Sequence, residues 1–192
     1  ELERRGKDAL LAQAGWVLPE GVRCIYSRQA EPLGLGHAVL CAQPAVGTDP
    51  FAVLLADDLI DSQPPAMARM AQLFEREGTS LLGVEEIPRD QTQRYGIVTA
   101  ETMQSDIARI RGIVEKPKPA DAPSNLAVIG RYVLTPRIFD LLGKVVPGAG
   151  GEIQLTDGIA GLLRREKVFA YRYEGKRYDC GSKEGFLQAN VE

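Results

Sequence analysis

The stretch FAVLLADDLIDSQPPAMARMAQLFEREGTSLLGVEEI, residues 51–87, decides the fold. It opens on FAVLLAD (51–57), a continuous apolar run of the kind that forms a strand buried on both faces. Prolines follow, and then Met67, Met70, Ala71 and Phe74 recur at helical spacing until Gly78 stops the pattern. TSLLGVEEI (79–87) reads as a second strand. Strand, helix and strand in this rhythm mark a βαβ unit and predict an α/β protein with a parallel sheet.

Upstream, VRCIYSR (22–28) has the β-branched and aromatic content of another strand, and GHAVLCAQPAV (36–46) reads as a short helix stopped near Pro44. ELERRGKDALLAQAG (1–15) looks like part of an amphipathic helix, with Leu2, Leu10 and Leu11 on its apolar side. Nothing caps it, so residues are expected before Glu1. Downstream the rhythm loosens into closely spaced strands, YGIVTAE (95–101), IARIRGIVEKP (107–117) and LAVIGRYVL (126–134), which should include antiparallel pairs. Thr135 and Pro136 should open a helix through Leu142, with Thr135 as N-cap. PGAGGE (147–152) leads to a helix carrying Leu155, Ile159, Leu162 and Leu163; KVFAYRYEG (167–175) is a strand; Ser182 caps a last helix to Val191. With no repeats and no low-complexity linkers, residues 1–192 read as one mixed α/β domain.

Composition narrows the function. A hydrophobic fraction of 44% and a charged fraction of 26% are those of a soluble globular protein. The net charge of −3, with no basic run, argues against nucleic acid as partner. There is no uninterrupted apolar stretch of about 18 residues and no signal-peptide pattern, so no membrane span is expected. Cys24, Cys41 and Cys180 are widely spaced and form no CxxC pair, which fits a reducing cytoplasm rather than a disulfide framework or a zinc site. The single histidine, His37, cannot support a multi-histidine metal cluster, and at a loop-to-helix junction it is more commonly structural.

Several segments place reactive side chains at the ends of elements. FAVLLADD sets Asp57 and Asp58 beyond a strand, where open α/β sheets bind ligands. Carboxylates there suit Mg2+, and they equally suit an ordinary turn. In IVEKPKP (113–119), Glu115 and Lys116 should point to opposite faces of a strand and so not pair. Glu115 would then accept from sugar hydroxyls and Lys116 would offset phosphate charge, unless the segment is only a polar strand end before a proline turn. KRYDCGSK (176–183) offers Asp179, and GEIQLTD (151–157) offers Glu152 and Gln154. In RQAEPLGLGHAVL (28–40), Gln29 precedes Gly34 by five residues. That is either a strand-to-helix loop or a pocket that reads a flat heterocycle with an amide and bare backbone. No nucleophile–base arrangement is present.

Taken in order, RQAEPLGLGHAVLCAQPAV, FAVLLADD, YGIV, GIVEKPKPADAPSNLAVIGRYVL, PGAGGEIQLTDGI and YDCGSK resemble the bacterial UTP–glucose-1-phosphate uridylyltransferases (UDP-glucose pyrophosphorylases), a family of sugar nucleotidyltransferases. The resemblance implies a Rossmann-like, mixed but mainly parallel sheet flanked by helices, and transfer of a uridylyl group from UTP to glucose 1-phosphate. It assigns Gln29 and Gly34 to uracil, Asp57 and Asp179 to Mg2+, and Gly96, Glu115 and Glu152 to the sugar. Lys116 falls beside the sugar phosphate and, with Asp57, is assigned to catalysis. UTP, glucose 1-phosphate and UDP-glucose are the implied ligands, in a cytoplasmic homo-oligomer. One departure stands out: the family's amino-terminal glycine-rich loop, with its TR and PK signature, has no match, so the first strand and loop should precede Glu1. The same carboxylates would serve a thymidylyltransferase. A chain without that loop also fits a nucleotide-sugar-binding module or an assembly domain.

Overall fold

The computed structural model describes residues 3–10 and 21–192. Leu2 and Leu11 of the expected amino-terminal helix lie outside the described residues; Leu10 is exposed. A six-stranded sheet forms the centre, built from β1 (Phe51–Leu54), β3 (Leu81–Glu86), β4 (Gly96–Ala100), β5 (Ile107–Glu115), β6 (Leu126–Leu134) and β7 (Phe169–Arg172). Its order is β1-β6-β3-β7-β5-β4, with a further contact between β4 and β6. A small second sheet pairs β2 (Asp58–Asp61) with β8 (Lys176–Asp179).

Among the described residues the sheet is mixed, but not mainly parallel as expected. There only β3 and β7 pair in parallel; the other ladders are antiparallel. The βαβ reading is right about direction and wrong about adjacency. β1 and β3 run the same way, joined through α3 (Ala66–Glu77), yet β6 inserts between them and is antiparallel to both. A strand–helix–strand rhythm cannot reveal an intervening strand that arrives 45 residues later in the chain.

Alternation on β3 and β6 explains how both faces are covered. Leu82, Val128, Tyr132 and Leu134 face a core built with α1 (Leu35–Cys41), α4 (Arg137–Leu142) and α5 (Leu155–Leu163). Leu81, Ile129 and Val133 face the opposite way onto Met70 and Leu73 of α3. β6 is accordingly buried almost throughout. In α3, Leu73 completes the inward stripe with Met70, while Ala71 is exposed; Gly78 closes the helix in the left-handed region (φ 64°).

Four further expectations change. β1 is short and lies at an edge, with Leu54 55% exposed, so FAVLLAD is not a strand buried on both faces. Residues 22–28 are exposed and irregular, because no strand among the described residues lies alongside to complete a ladder. Thr135 does not cap α4: its hydroxyl donates to Glu166 Oε1 (2.8 Å), and Pro136 takes the N-cap position. Pro44 does not end its helix outright; after Ala42 it sits in the first turn of α2 (Gln43–Val46). Ser182 caps α6 (Lys183–Val191) as expected, accepting from Gly185 N at 3.0 Å.

Candidate active site

Two ladders and one loop docking build a cavity of about 410 Å³ at the end of the sheet. The first ladder is β2–β8. Beyond β1 the chain turns at Leu55, whose N–H donates to Gly130 O (2.9 Å), and Asp57 follows before β2 begins. Asp58 is in register with Asp179, and Cys180 N donates to Asp57 O at 2.7 Å. These bonds bring the Asp57 and Asp179 carboxylates together. A methyl group on Gly181 would lie 3.0 Å from Asp57 Oδ2 and 3.2 Å from Asp179 Oδ1, so both oxygens converge on that glycine.

The second ladder is β4–β5, which aligns Gly96 with Glu115. A side chain on Gly96 would collide with Thr156 of α5, so the glycine lets the helix approach the strand end. Lys116 leaves the strand with φ 44°, held by its N–H to Tyr95 O at 3.0 Å. Glu115 and Lys116 therefore do not point to opposite faces: the ladder stops at Glu115, strand alternation fails, and Lys116 Nζ lies 3.4 Å from Glu115 Oε1. The loop docking joins Ile153 N to Leu33 O (2.8 Å) and Gly36 N to Ile153 O (2.9 Å), which sets Gly34 against Glu152. Gln154 Nε2 donates to Glu152 Oε2 at 2.7 Å.

Gly34, Asp57, Gly96, Glu115, Lys116, Glu152 and Asp179 thus line one cavity, while Gln29 does not. Gln29 lies in a neighbouring groove with Pro32 and Cys41. Its amide donates to Gly34 O (3.2 Å) and lies 2.8 Å from His37 Nδ1.

The structure adds groups to which the resemblance assigns no role. Asp58 is 7% exposed, and its Oδ1 accepts from Arg177 Nε at 2.6 Å. Burial raises the Asp58 pKa above the usual carboxylate value; Arg177 works against that shift and the neighbouring Asp57 adds to it. Burial alone would weaken the Arg177 charge, but the Tyr95 hydroxyl and Asp58 outweigh it and hold its pKa above the ordinary value. Arg131 donates to the carbonyls of Leu55 (3.0 Å), Gly130 (3.1 Å) and Asp58, stapling the turn that carries Asp57. Arg94 Nη2 bonds Asp179 Oδ2 at 2.6 Å. An arginine turned inward looks the same in sequence as one facing water, so Arg94, Arg131 and Arg177 carried no signal.

The walls hold Asp57, Asp58, Glu115, Glu152 and Asp179 against Arg94, Lys116 and Arg177. A phosphate ligand entering a cavity with this acidic excess needs a cation beside it. No group of three or more His, Cys, Asp and Glu that could hold a metal is found among the described residues. Two carboxylates nevertheless fit Mg2+, which takes one or two from protein and the rest from phosphates and water.

The model of the nucleotidyl transferase family matches residues 5–192. The UTP–glucose-1-phosphate uridylyltransferase of Staphylococcus epidermidis is 44% identical over 191 residues, which cover 100% of this chain and 66% of that protein. A UTP-bound UGPase from Acinetobacter baumannii superposes with TM-score 0.85 at 43% identity, covering 99% of this chain and 66% of that one. A UDP-glucose pyrophosphorylase complexed with UDP-glucose gives TM-score 0.84 at 43% identity, over 87% and 64% of the two chains. The chain thus spans just under two thirds of the length of these relatives. Matched along nearly its whole length, the chain belongs to the nucleotidyl transferase family.

Proposed function

We propose that the intact protein transfers a uridylyl group from UTP to glucose 1-phosphate, giving UDP-glucose and pyrophosphate. The observation that carries this reading is the meeting of Asp57, Glu115, Lys116, Glu152 and Asp179 in one cavity, in a chain 44% identical to a uridylyltransferase. A phosphate oxygen of the sugar attacks the α-phosphorus of UTP in line, and pyrophosphate leaves. Lys116 holds the sugar phosphate, and its partial pairing with Glu115 is exchanged for that phosphate. Glu115 and Glu152 accept hydrogen bonds from sugar hydroxyls, and Gly96 belongs to the same wall of the cavity. Gly34 and Gln29 belong to the uracil, with Gln29 giving up its contact to His37 for the base. Asp57 and Asp179 would hold Mg2+, which supplies charge neutralisation at the phosphates.

The same reading makes residues 1–192 one nucleotidyltransferase domain, acting in the cytoplasm and within a homo-oligomer; no helix among the described residues is long and apolar enough to cross a membrane. Calorimetric titration of this chain with UDP-glucose and Mg2+, with dTDP-glucose as comparison, tests the ligand. Uridine-selective binding supports the reading, and equal or dTDP-selective binding overturns the uridylyl assignment. Pyrophosphate release by the full-length protein, dependent on both UTP and glucose 1-phosphate, tests the reaction. Binding without any turnover would make the protein a nucleotide-sugar-binding module.

A further inference from the structure

The Asp179 carboxylate is divided between two environments. Its Oδ2 accepts from Arg94 Nη2 at 2.6 Å, with the Tyr95 hydroxyl at 3.5 Å. Its Oδ1 has no hydrogen-bond partner among the described residues and lies, with Asp57 Oδ2, against Gly181. A free carboxylate rotates about its terminal torsion, a broad and nearly two-fold well, so either oxygen could face Asp57. Something must choose. The Arg94 guanidinium sits 5.4 Å from the Tyr95 ring centroid and the Arg177 guanidinium 5.2 Å from it. Arg177 is itself tied to buried Asp58, the residue in register with Asp179. Arg94 is therefore anchored through Tyr95 to the same ladder that delivers the carboxylate.

We propose that Arg94, braced by Tyr95, is a positioning residue that fixes the Asp179 carboxylate by one oxygen, so that Oδ1 and Asp57 Oδ2 are presented together to a divalent cation. The proposal rests on the assignment of Asp57 and Asp179 to that cation. Carboxylates that ligate metals are themselves held by outer hydrogen bonds, and loss of such a partner typically weakens metal affinity ten- to hundredfold. The opposing view is that Arg94 simply occupies Asp179 and repels cations. The two views predict opposite signs, because removing an occluding charge strengthens binding.

The experiment is an amide-resolved NMR titration of the 192-residue chain with Mn2+ alone, reading the concentration that half-broadens the Gly181 amide. It needs no turnover and no nucleotide, and the same spectra report whether each variant is folded. Arg94→Met should fold, since an ion pair with Arg94 51% exposed contributes little stability. It should require about ten to a hundred times more Mn2+ than the parent. Arg94→Lys should restore most of the affinity, because the native contact is a single N–H on a single oxygen that an ammonium can replace. Asp179→Asn should lose the local broadening. If Arg94→Met matches the parent or binds more tightly while Asp179→Asn loses binding, the positioning role is overturned and the cation assignment stands. If the parent shows no broadening at Gly181, or Asp179→Asn behaves like the parent, the cation assignment falls and the proposal falls with it.

Discussion

Gly130→Ala should be a strongly damaging single methyl beside the site. Gly130 lies in the middle of β6 with φ 54°, in the left-handed region that an alanine adopts at a cost. Its added Cβ would lie 3.0 Å from Leu55 Cβ and would overlap Asp58 Oδ2 outright. Asp58 cannot retreat freely, because Arg177 grips its Oδ1 through Nε (2.6 Å) and Nη2 (2.5 Å), both side chains being less than 10% exposed. The left-handed backbone costs about 1–2 kcal/mol and prising apart a buried ion pair about 3–5 kcal/mol, together on the order of 4–7 kcal/mol. That is a large share of the roughly 5–15 kcal/mol that holds a typical domain together. Urea denaturation followed by circular dichroism should show a variant largely unfolded, or one with its midpoint far below the parent's. A double-mutant cycle with Asp58→Ala isolates the cause: with the carboxylate gone, the methyl should cost only about the backbone 1–2 kcal/mol. A Gly130→Ala variant within about 1 kcal/mol of the parent, or a cycle with no coupling, would refute the steric argument.

Other perturbations probe the site and the buried phenols. Lys116→Ala in the full-length protein should lower turnover about a hundredfold or more, the scale of losing a key electrostatic contact, and near-normal turnover would remove Lys116 from its role. Glu115→Ala should weaken glucose 1-phosphate binding and leave UTP binding little changed; an effect confined to UTP would move Glu115 off the sugar. Gly181→Ala places a methyl 3.0 Å from Asp57 Oδ2 and 3.2 Å from Asp179 Oδ1, and should reduce Mn2+ binding with little loss of thermal stability. Unchanged Mn2+ binding would show that the cation lies elsewhere. Burial first, and then the nearby Glu115 and Asp58 charges, raise the Tyr132 pKa; burial and Glu85 raise that of Tyr173. Both phenols bind their protons more tightly folded than unfolded, so their stabilisation is intact below about pH 10 and lost as pH rises through the raised values. Urea midpoints measured upward from pH 8 should fall steeply beyond about pH 10, and Tyr132→Phe should flatten that fall.

The positions of site residues along the chain were easier to read than their partners. Asp57, Glu115, Glu152 and Asp179 all sit at element ends, and that placement depends only on local punctuation: an apolar run, a proline, a glycine turn. Pairing depends on register between distant segments. Nothing in VEKP announces that the chain reverses at Lys116 and folds its ammonium toward Glu115. The antiparallel insertion of β6 was equally hidden, since hydrophobic periodicity fixes a strand's faces and not its neighbours. The YRY at the end of β7 (171–173) and the KRYD of β8 look alike as polar–aromatic alternations. Yet Arg172 reaches Glu86 at the surface, whereas Arg177 is buried on Asp58. Only the second sheet, invisible in the sequence, separates the two arginines.

The site depends on closures that are long in sequence. The β2–β8 ladder joins segments more than a hundred residues apart, and the turn holding Asp57 is stapled by Arg131 from the middle of β6. Gly34 reaches Glu152 only when the loop before α1 docks on the segment before α5. Apart from the β4–β5 hairpin that places Gly96, Glu115 and Lys116, no part of the cavity can assemble from one local unit, and a ligand that bridges Asp57, Lys116 and Glu152 binds only the completed fold. Such a ligand stabilises by mass action, about 2.7 kcal/mol at a hundred times its dissociation constant. The interactions with most at stake, Asp58 on Arg177 and Arg131 on the β1–β2 turn, lie immediately behind the residues assigned to chemistry. They are buried charges, costly if left unpaired, and each is satisfied only in the geometry that aims Asp57 and Asp179 at the cavity. Fold stability and site geometry are consequently the same set of bonds in this region, so a substitution behind the aspartates should disturb binding and stability together.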